Sequence, residues 1–385
     1  MIRLKILPIL IALFAFAFAG CSSPEKQEVD SGKIIIGHVT DSHAWHICDF
    51  KSSSGAEHTV AINLPIILID DGHLEIFSSK HFHHGHEVYQ GKSHTYALVG
   101  GGLEKEEVIC VEPLAGNSSD ADIFIDGEGH KYAKVKDSEG NVVKPVDLSI
   151  TKTAAAIIIA VSLLIIIILG SAKKYRVRGT TSAPHGMQSL IELLVLHVRD
   201  GIVEPILGHN TKRFLPYLLT LFFFIFFCNI LGLIPIFPAG ANITGNIAVT
   251  AILALITFFI TNLKGNKHYW KDIFNTPGVP AWLKIFPLMP LVELVGVFTK
   301  PIVLMIRLFA NMTAGHIVIL GFVVIIFILS NSLGMAVGGA VSAVSVIFAV
   351  FISLLECLVA YIQAFVFTML SALYISMAVE EPEEA

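Results

Sequence analysis

A single arginine, Arg307, lies inside a long apolar stretch of the chain, in the motif MIRLFANMTAGHIVIL. A cationic side chain at the centre of a membrane helix costs roughly 2.5–3.5 kcal/mol on insertion scales. Arginine cannot give up its proton in a protein, and no acid lies three or four residues away to neutralise it. An arginine that extends to the membrane surface is one interpretation. Its depth in the segment favours the other, a charge that meets a carboxylate from elsewhere.

Other polar residues interrupt the same apolar segments, namely Glu293, Asn311, His316, Glu356 and Gln363. At ~100° per residue, Asn311 falls about 40° from Arg307 on the helix surface, and His316 lies about 13 Å further along the axis. Glu293 is roughly in phase with the arginine, and Glu356 and Gln363 share a face of the last helix. A fixed positive charge with titratable groups on either side along the membrane normal is suited to a proton path.

Each of these residues also has a structural interpretation. His316 could be an interhelical histidine with satisfied hydrogen bonds, and Glu356 could be a buried structural acid. Glu293 could cap the inner end of its helix. Asn311 and Gln363 could join neighbouring helices by hydrogen bonds.

Histidines are concentrated near the N-terminus, where 11 of the 16 lie within residues 38–130. Imidazole clusters bind zinc or copper, but the same side chains can form a solvated surface. The sequence therefore assigns no metal and no cofactor, and the candidates if a metal does bind are His81, His83, His84 and His86. Cys48 and Cys110 could form a disulfide if they share an oxidising compartment.

The composition is that of a membrane protein, with 54% hydrophobic and only 15% charged residues. The charges are unevenly placed. Residues 22–150 hold 21 acidic and 10 basic residues, whereas the remainder holds 10 acidic and 16 basic residues. An acidic, water-soluble part is therefore joined to a basic, lipid-embedded part.

Residues 1–21 are typical of a targeting signal, with a basic start, an apolar run and small residues before Cys21. The end of the segment resembles a lipoprotein signal, in which Cys21 would be lipidated, although plain cleavage or an uncleaved anchor is also compatible. Short apolar runs bounded by turn residues follow, and they predict a small antiparallel β-rich domain within residues 22–150. Each alternative places this domain outside the cytoplasm.

Residues 151–385 predict a mostly α-helical, multi-pass membrane domain with about five transmembrane segments. Thr153–Ala172 carries no charge and ends in the basic cluster KKYRVR, which is expected on the cytoplasmic side. Residues 184–204 are typical of a helix at the inner interface, and two further segments follow at residues 214–237 and 247–263. The last two segments, about 285–329 and 341–378, exceed the ~20 residues of a perpendicular helix, so we expect them to be tilted.

Two motifs, KPIVLMIRLFANMTAGHIV and AYIQAFVFTMLSALYISMAVEE, together with LTLFFFIFFCNILGLIP upstream, resemble the subunit a family of F-type ATP synthases. The resemblance covers about residues 185–380. It implies that Arg307 faces a rotating ring of subunit c and that Gln363 lies near it. It also implies that Asn311, His316 and Glu356 line an outer half-channel, and that Glu293 lines an inner one.

The resemblance further implies partners and a location. The expected partners are the c-subunit ring, the peripheral-stalk subunit b, the soluble ATPase sector and membrane lipids, with no nucleic acid. The expected location is the bacterial inner membrane, with the N-terminal domain periplasmic and the C-terminus cytoplasmic. The chain itself would be a non-catalytic, proton-conducting subunit of a proton-transporting ATP synthase.

Two other classes of protein are open to the sequence. A self-contained proton-coupled secondary transporter would be expected to show inverted repeats, and no internal repeat is visible. An outer-face metalloprotein with a membrane anchor would require one apolar helix, whereas at least five hydrophobic segments are present.

Overall fold

The computed structural model describes residues 40–51, 57–85, 87–101, 104–114, 123–126, 130–136, 141–178, 184–234, 240–274, 288–333 and 335–379. The chain divides into two compact units. The first comprises Met1–Ala156, Pro235–Ala241 and Leu320–Ile347, and the second comprises Ile157–Ile234, Asn242–Ile319 and Phe348–Ala385. The predicted signal segment with Cys21 and the acidic C-terminus lie outside the described residues.

The N-terminal part of the first unit is built from antiparallel strands. They are β1 Ala44–Lys51, β2 Glu57–Asn63, β3 Pro65–Asp70, β4 His73–Ser78, β5 Val88–Gln90, β6 Thr95–Gly101, β7 Glu104–Pro113, β8 Ile123–Ile125, β9 Lys131–Lys134 and β10 Val146–Asp147. They form sheets in the orders β1-β2, β10-β3-β4 and β5-β6-β7-β9-β8. The described residues therefore contain the β-rich structure that the alternating apolar pattern predicts.

Alternation along the strands builds the core of this domain. On β3 the buried positions are Ile66, Leu68 and Asp70, and on β7 Val108 and Cys110 point to the same apolar cluster. The opposite face of β6 and β7 buries a smaller cluster that contains Ala97, Ile109 and Val111. Two sheet faces thus pack through aliphatic and aromatic side chains, and Asp70 occupies a position where the pattern demands an apolar residue.

A buried ionic group ties the start of β1 to later strands. The His43 ring lies 3.4 Å from a Glu106 carboxylate oxygen and 3.0 Å from an Asp147 carboxylate oxygen. Burial alone would lower the pKa of His43, but the two carboxylates outweigh it and raise the pKa to about 9. Asp147 has a pKa lowered to about 2, because hydrogen bonds from His43 and Ser149 outweigh the effect of burial.

Cys110 is a free thiol in this structure, so the disulfide with Cys48 that the sequence left open is not formed. Its sulfur is buried and lies 3.9 Å from Oδ2 of Asp70. Burial and the nearby Asp70 carboxylate raise the pKa of the thiol to about 12. Cys48 lies on β1, which pairs with β2 in a separate sheet. This pairing sets the position of Cys48 in the fold.

Most of the described residues after the β domain are helical. The helices are α1 Lys152–Arg178, α2 Met187–Val198, α3 Glu204–Leu207, α4 Thr211–Leu233, α5 Ile247–Lys264, α6 Lys267–Phe274, α7 Leu288–Leu333 and α8 Met335–Val379. Among the described residues, five helical segments are long and apolar enough to cross a membrane, which confirms the predicted number. The segment Met187–Leu233 is continuous apart from a π turn at Arg199–Val203 and a 3-10 turn at Gly208–Asn210.

Helix α7 has 46 residues, about the length predicted for its segment, whereas α8 has 45 residues and is longer than the predicted segment 341–378. At 1.5 Å per residue each is about 68 Å long, more than twice the ~30 Å of a bilayer core. Residues 330–340 were predicted as a small-residue loop, but α7 continues to Leu333 and α8 begins at Met335. The prediction was wrong because most of this stretch, including Ala336 and Val337, tolerates a helix, and helical hydrogen bonds satisfy the backbone in an apolar solvent.

We predict that His43→Gln destabilises the β domain in a pH-dependent manner. The native histidine holds its proton up to about pH 9, whereas an unfolded histidine does so only up to 6.5. The protonated histidine therefore adds roughly 2–3 kcal/mol to the free energy of unfolding. This contribution is complete below pH 6.5 and is lost as pH rises through 9. Amide hydrogen exchange of β7 peptides, corrected for the intrinsic rate, should be at least about tenfold faster in the variant at pH 6.

The matched control is His73→Gln, which changes an exposed histidine of the same domain. It should leave exchange of β7 unchanged at both pH values. A loss of protection in His43→Gln that is equal at pH 6 and above pH 9 would show that the ion group contributes packing rather than charge.

Candidate functional site

Arg307 lies on an exposed face of α7, in the second unit. Its exposed neighbours on the helix include the apolar Val303 and Ile306, at 46% and 50% exposure, and the polar Asn311. An adjacent side of the helix packs into the core through Leu304 and Leu308, which are at most 1% exposed. Within the described part of the chain, Arg307 forms no hydrogen bond and no ion pair. The guanidinium is therefore presented outward, on a mostly apolar surface, without a partner among the residues that the structure describes.

One turn further along α7, an amide pair joins the last two helices. Nδ2 of Asn311 donates to Oε1 of Gln363 on α8 over 2.8 Å. Gln363 is 3% exposed, and its Nε2 has no hydrogen-bond partner among the described residues. The pair leaves one buried amide donor of Gln363 unused, beside Asn311, which follows Arg307 by four residues. An unmade buried hydrogen bond costs about 1–3 kcal/mol.

The His316 ring lies between two backbone carbonyl groups. Nδ1 is 3.1 Å from the oxygen of Met312, and Nε2 is 3.2 Å from the oxygen of Gly232 at the end of α4. A carbonyl oxygen only accepts, and a neutral imidazole carries one N–H. Only the doubly protonated ring can therefore donate in both directions, so the geometry at this position suits a histidine that takes up a proton and releases it.

Glu356 on α8 packs against α7 directly beside His316. Its two carboxylate oxygens are buried and have no hydrogen-bond partner among the described residues. Space for the carboxylate exists because residue 315 is a glycine. A Cβ built at Gly315 would meet Oε1 of Glu356 at 2.0 Å and its Cδ at 2.8 Å. The glycine thus brings an unpaired acid next to the histidine along the helix, although no direct hydrogen bond joins the two side chains.

Polar side chains from α4 and the turn after it surround this region. Asn229 is fully buried, donates to the backbone oxygen of Ala360 over 3.2 Å and accepts from Thr244 over 2.7 Å. Thr313 donates to the backbone oxygen of Gly245 over 3.4 Å. These contacts hold the end of α4 and the following turn against α7 and α8. The amide of Asn229 within the run FFFIFFCNILGL is the signal in the sequence that could have identified this group.

A second polar region lies before Arg307 on α7. Glu293 is half-buried, and its charge acts on Lys300 seven residues later. Nζ of Lys300 lies 5.4 Å above the ring centroid of Tyr374 on α8. Lys300 also lines a small cavity of about 20 Å³, together with Thr261 and Tyr269. The sequence predicted Glu293 as a site residue but did not predict Lys300 or Tyr374. The contact between Lys300 and Tyr374 depends on how α8 packs, which the sequence does not specify.

The structure therefore brings four of the predicted residues together along the pair of helices α7 and α8, namely Asn311, His316, Glu356 and Gln363. Going along α7, Lys300 meets Tyr374, Asn311 meets Gln363 and Gly315 meets Glu356. The partners on α8 descend in number as those on α7 rise, as expected for antiparallel helices. Arg307 lies between the first and second of these contacts in sequence, and His316 lies beside the third.

The histidine-rich motif is only partly described. His81 is exposed, and its ring centroid is 6.5 Å from Phe77 and 5.3 Å from Tyr89. His83 and His84 belong to the 3-10 turn Ser79–Gly85, and His86 lies outside the described residues. Metal binding by this motif stays a hypothesis.

Two family models match the chain in separate regions. The model described as ATP synthase A chain matches residues 154–376, which is more than half of the chain. A model described as Domain of unknown function (DUF8433) matches residues 34–145. The boundary between the two matches lies where the β domain gives way to the first long helix.

Relatives of the helical region carry the same description. The protein named ATP synthase subunit a in Chloroherpeton thalassium is 43% identical over 238 residues, covering 60% of this chain and 67% of the relative. ATP synthase subunit a 2 of Chlorobaculum tepidum is 45% identical, covering 60% of this chain and 64% of the relative. ATP synthase subunit a of Myxococcus xanthus is 45% identical, with coverages of 60% and 74%.

The chain thus spans about two thirds of the length of the first relatives that it matches. The family-model match at residues 154–376 covers nearly all of the five long apolar helices and every polar residue of α7 and α8 described above. On the family model that covers residues 154–376, this chain belongs to the ATP synthase subunit a family.

Proposed function

We propose that this chain is the stator subunit of the membrane sector of an F-type ATP synthase and that it couples proton flow to rotation of a c-subunit ring. The observation that carries the proposal is Arg307, an exposed cation on an apolar helix face with no partner from the described part of its own chain. A permanent cation in hydrocarbon requires a counter-ion. A ring of subunits that each carry one membrane-embedded carboxylate supplies such counter-ions in succession.

In this mechanism Arg307 separates two proton paths. A ring carboxylate that reaches the arginine is held as an anion, because a nearby cation favours the charged form. Once protonated, the neutral carboxyl group can turn into lipid, where a charged one would pay a large desolvation cost. The fixed charge of the guanidinium also repels protons that would otherwise pass directly between the paths. Such a leak would waste about 2.3 kcal/mol per proton for every 100 mV.

The outer path is proposed to run through His316 and Glu356, with Asn311 and Gln363 near the arginine. The two carbonyl contacts of His316 support a ring that alternates between one and two protons. The unpaired, buried carboxylate of Glu356 is available to accept and pass on a proton. Because no hydrogen bond joins these two side chains directly, transfer between them requires water or a rotamer change.

The inner path is proposed to include Glu293. Its half-buried position and its electrostatic contact with Lys300 support a carboxylate at the inner end of α7. The basic ends of α1 and α5 are consistent with that end facing the cytoplasm, following the positive-inside rule. The same rule supports a periplasmic β domain and a cytoplasmic C-terminus in the bacterial inner membrane.

The organisation of the chain is proposed to follow the three parts deduced from the sequence. These are a signal segment at residues 1–21, an extracytoplasmic β domain at 22–150 and the membrane domain at 151–385. The proposed partners are the c-subunit ring, subunit b of the peripheral stalk and the soluble ATPase sector. A self-contained secondary transporter is not favoured, because family membership assigns the helical region to a subunit of a larger complex.

We predict that Arg307→Ala abolishes ATP synthesis driven by a proton gradient in membrane vesicles. Without the cation, nothing holds the ring carboxylate ionised or blocks protons between the two paths. Synthesis should fall to background, and passive proton leak through the membrane sector should rise. Both are measured on vesicles in which the c-subunits and the ATPase sector still co-purify with the variant.

Arg213→Ala is the matched control, because it removes an exposed arginine from the start of α4, away from the proposed paths. It should keep normal synthesis. Unchanged synthesis in Arg307→Ala, or proton transport by the purified chain alone, would refute the stator mechanism.

We also predict that Gly315→Ala blocks the outer path. The new Cβ would occupy the place of Oε1 of Glu356 and force the carboxylate away. Proton-driven ATP synthesis should drop severalfold, whereas passive leak should not rise because Arg307 is intact. Glu356→Asp in the same chain shortens the acid by one methylene and should restore part of the synthesis rate.

Gly296→Ala serves as the control for this prediction. It adds the same methyl group to α7, but a Cβ at Gly296 would meet nothing within 4 Å. Helix propensity changes equally in the two variants, so only the contact with Glu356 differs. Equal rates in Gly315→Ala and Gly296→Ala would mean that the position of Glu356 does not matter for conduction.

A further inference from the structure

The β domain contains a mixed set of metal-ligand side chains that the proposed proton mechanism does not use. Asp70 at the end of β3, His94 just before β6 and Cys110 on β7 each place one ligand atom within 4.8 Å of the other two. Cys110 is fully buried, Asp70 is 7% exposed, and the His94 side chain is 24% exposed. The group is therefore enclosed by the two packed sheets and open to solvent only at the histidine.

We propose that Asp70, His94 and Cys110 form a zinc site. A carboxylate oxygen, an imidazole nitrogen and a thiolate sulfur are the donor types that zinc takes in proteins. They come from separate strands or turns of the domain, so an ion bound to them would link the β3-β4 sheet to the sheet that contains β6 and β7. His81, the histidine of the motif at residues 81–86 whose side chain the structure describes, does not belong to this group.

The distance between sulfur and oxygen supports a shared ion better than a direct contact. Sγ of Cys110 lies 3.9 Å from Oδ2 of Asp70, which is long for a hydrogen bond. Two ligands at Zn–S ≈ 2.3 Å and Zn–O ≈ 2.1 Å in tetrahedral geometry are about 3.6 Å apart. Nδ1 of His94 is closer to the same oxygen, at 2.7 Å. Zinc binding would thus replace that hydrogen bond and move the partly exposed histidine outward by a fraction of an ångström.

A neighbouring acid holds the turn that presents the histidine. The buried Glu75 on β4 accepts from the backbone N–H groups of Lys92 and Ser93, over 2.6 and 3.3 Å. Gly91 is required at the start of this turn, because a Cβ there would meet the Tyr96 ring at 2.4 Å and Glu75 at 2.5 Å. Such support of ligand orientation is a common property of metal sites.

Tyr96 occupies the remaining side of the group. Its hydroxyl donates to Oδ2 of Asp70 over 2.9 Å and is fully buried. It orients the carboxylate and leaves the fourth coordination position to a water molecule that reaches the ion past His94. The ligand set is then three protein side chains and one water, and the entire set lies at the edge of the domain core.

The test is metal binding by the full chain purified in detergent. After loading with zinc and removal of excess ion, elemental analysis should find one zinc per chain. The cobalt-loaded protein should show tetrahedral d–d bands and a thiolate-to-cobalt charge-transfer band. Cys110→Ser should lose the charge-transfer band, and His94→Gln should weaken zinc binding at least about tenfold in competition with a chelator.

His73→Gln is the control, because it removes an exposed histidine of the same domain. It should bind zinc like the parent chain. His94→Gln keeps the proposal testable even if Cys110→Ser fails to fold, because His94 is on a partly exposed turn. Absence of bound zinc in the parent, cobalt spectra without a thiolate band, or unchanged affinity in His94→Gln would each overturn the proposal.

Discussion

The feature of the membrane part on which the proposed function depends is one positive charge that no residue of the described structure neutralises. Arg307 projects from an apolar helix face and has no ion-pair partner in the part of the chain that the structure describes. A buried or lipid-facing guanidinium is costly without a counter-ion. In the mechanism that we propose, another molecule provides the anion, and the unpaired charge is then itself a binding feature for a partner.

Helices α7 and α8 pack against each other near this charge. Their packing explains why the neighbouring polar groups follow one another along the helix axes. Antiparallel packing of α7 and α8 sets Gln363 against Asn311, and Glu356 against Gly315. Because the two helices run in opposite directions, each polar residue of one meets a specific level of the other. A small residue at position 315 is as important to this arrangement as the acid itself, since the carboxylate fills the space that a side chain would take.

The β domain depends on a different use of buried charge. Two buried ionic groups of the domain, one around His43 and one around Asp70, lie at strand ends, where the apolar core gives way to polar side chains. Buried charges of this kind are costly unless each is paired or holds an ion. The His43 group is satisfied within the protein, whereas the Asp70 group combines donor types that are common in zinc sites.

The sequence alone determined the division into a β-rich part and a five-helix membrane part, and it identified Arg307, His316 and Glu356 as unusual. Hydropathy, charge and strand alternation are local properties, so they can be read from the chain. The contacts of Gly232 with His316 and of Asp70 with Cys110 were decided only by the tertiary structure. These partners are 84 and 40 residues apart, and nothing local in the sequence specifies which segments pack together. The same limit explains why the sequence left the pairing of Cys110 open, since only the pairing of strands placed its thiol beside Asp70.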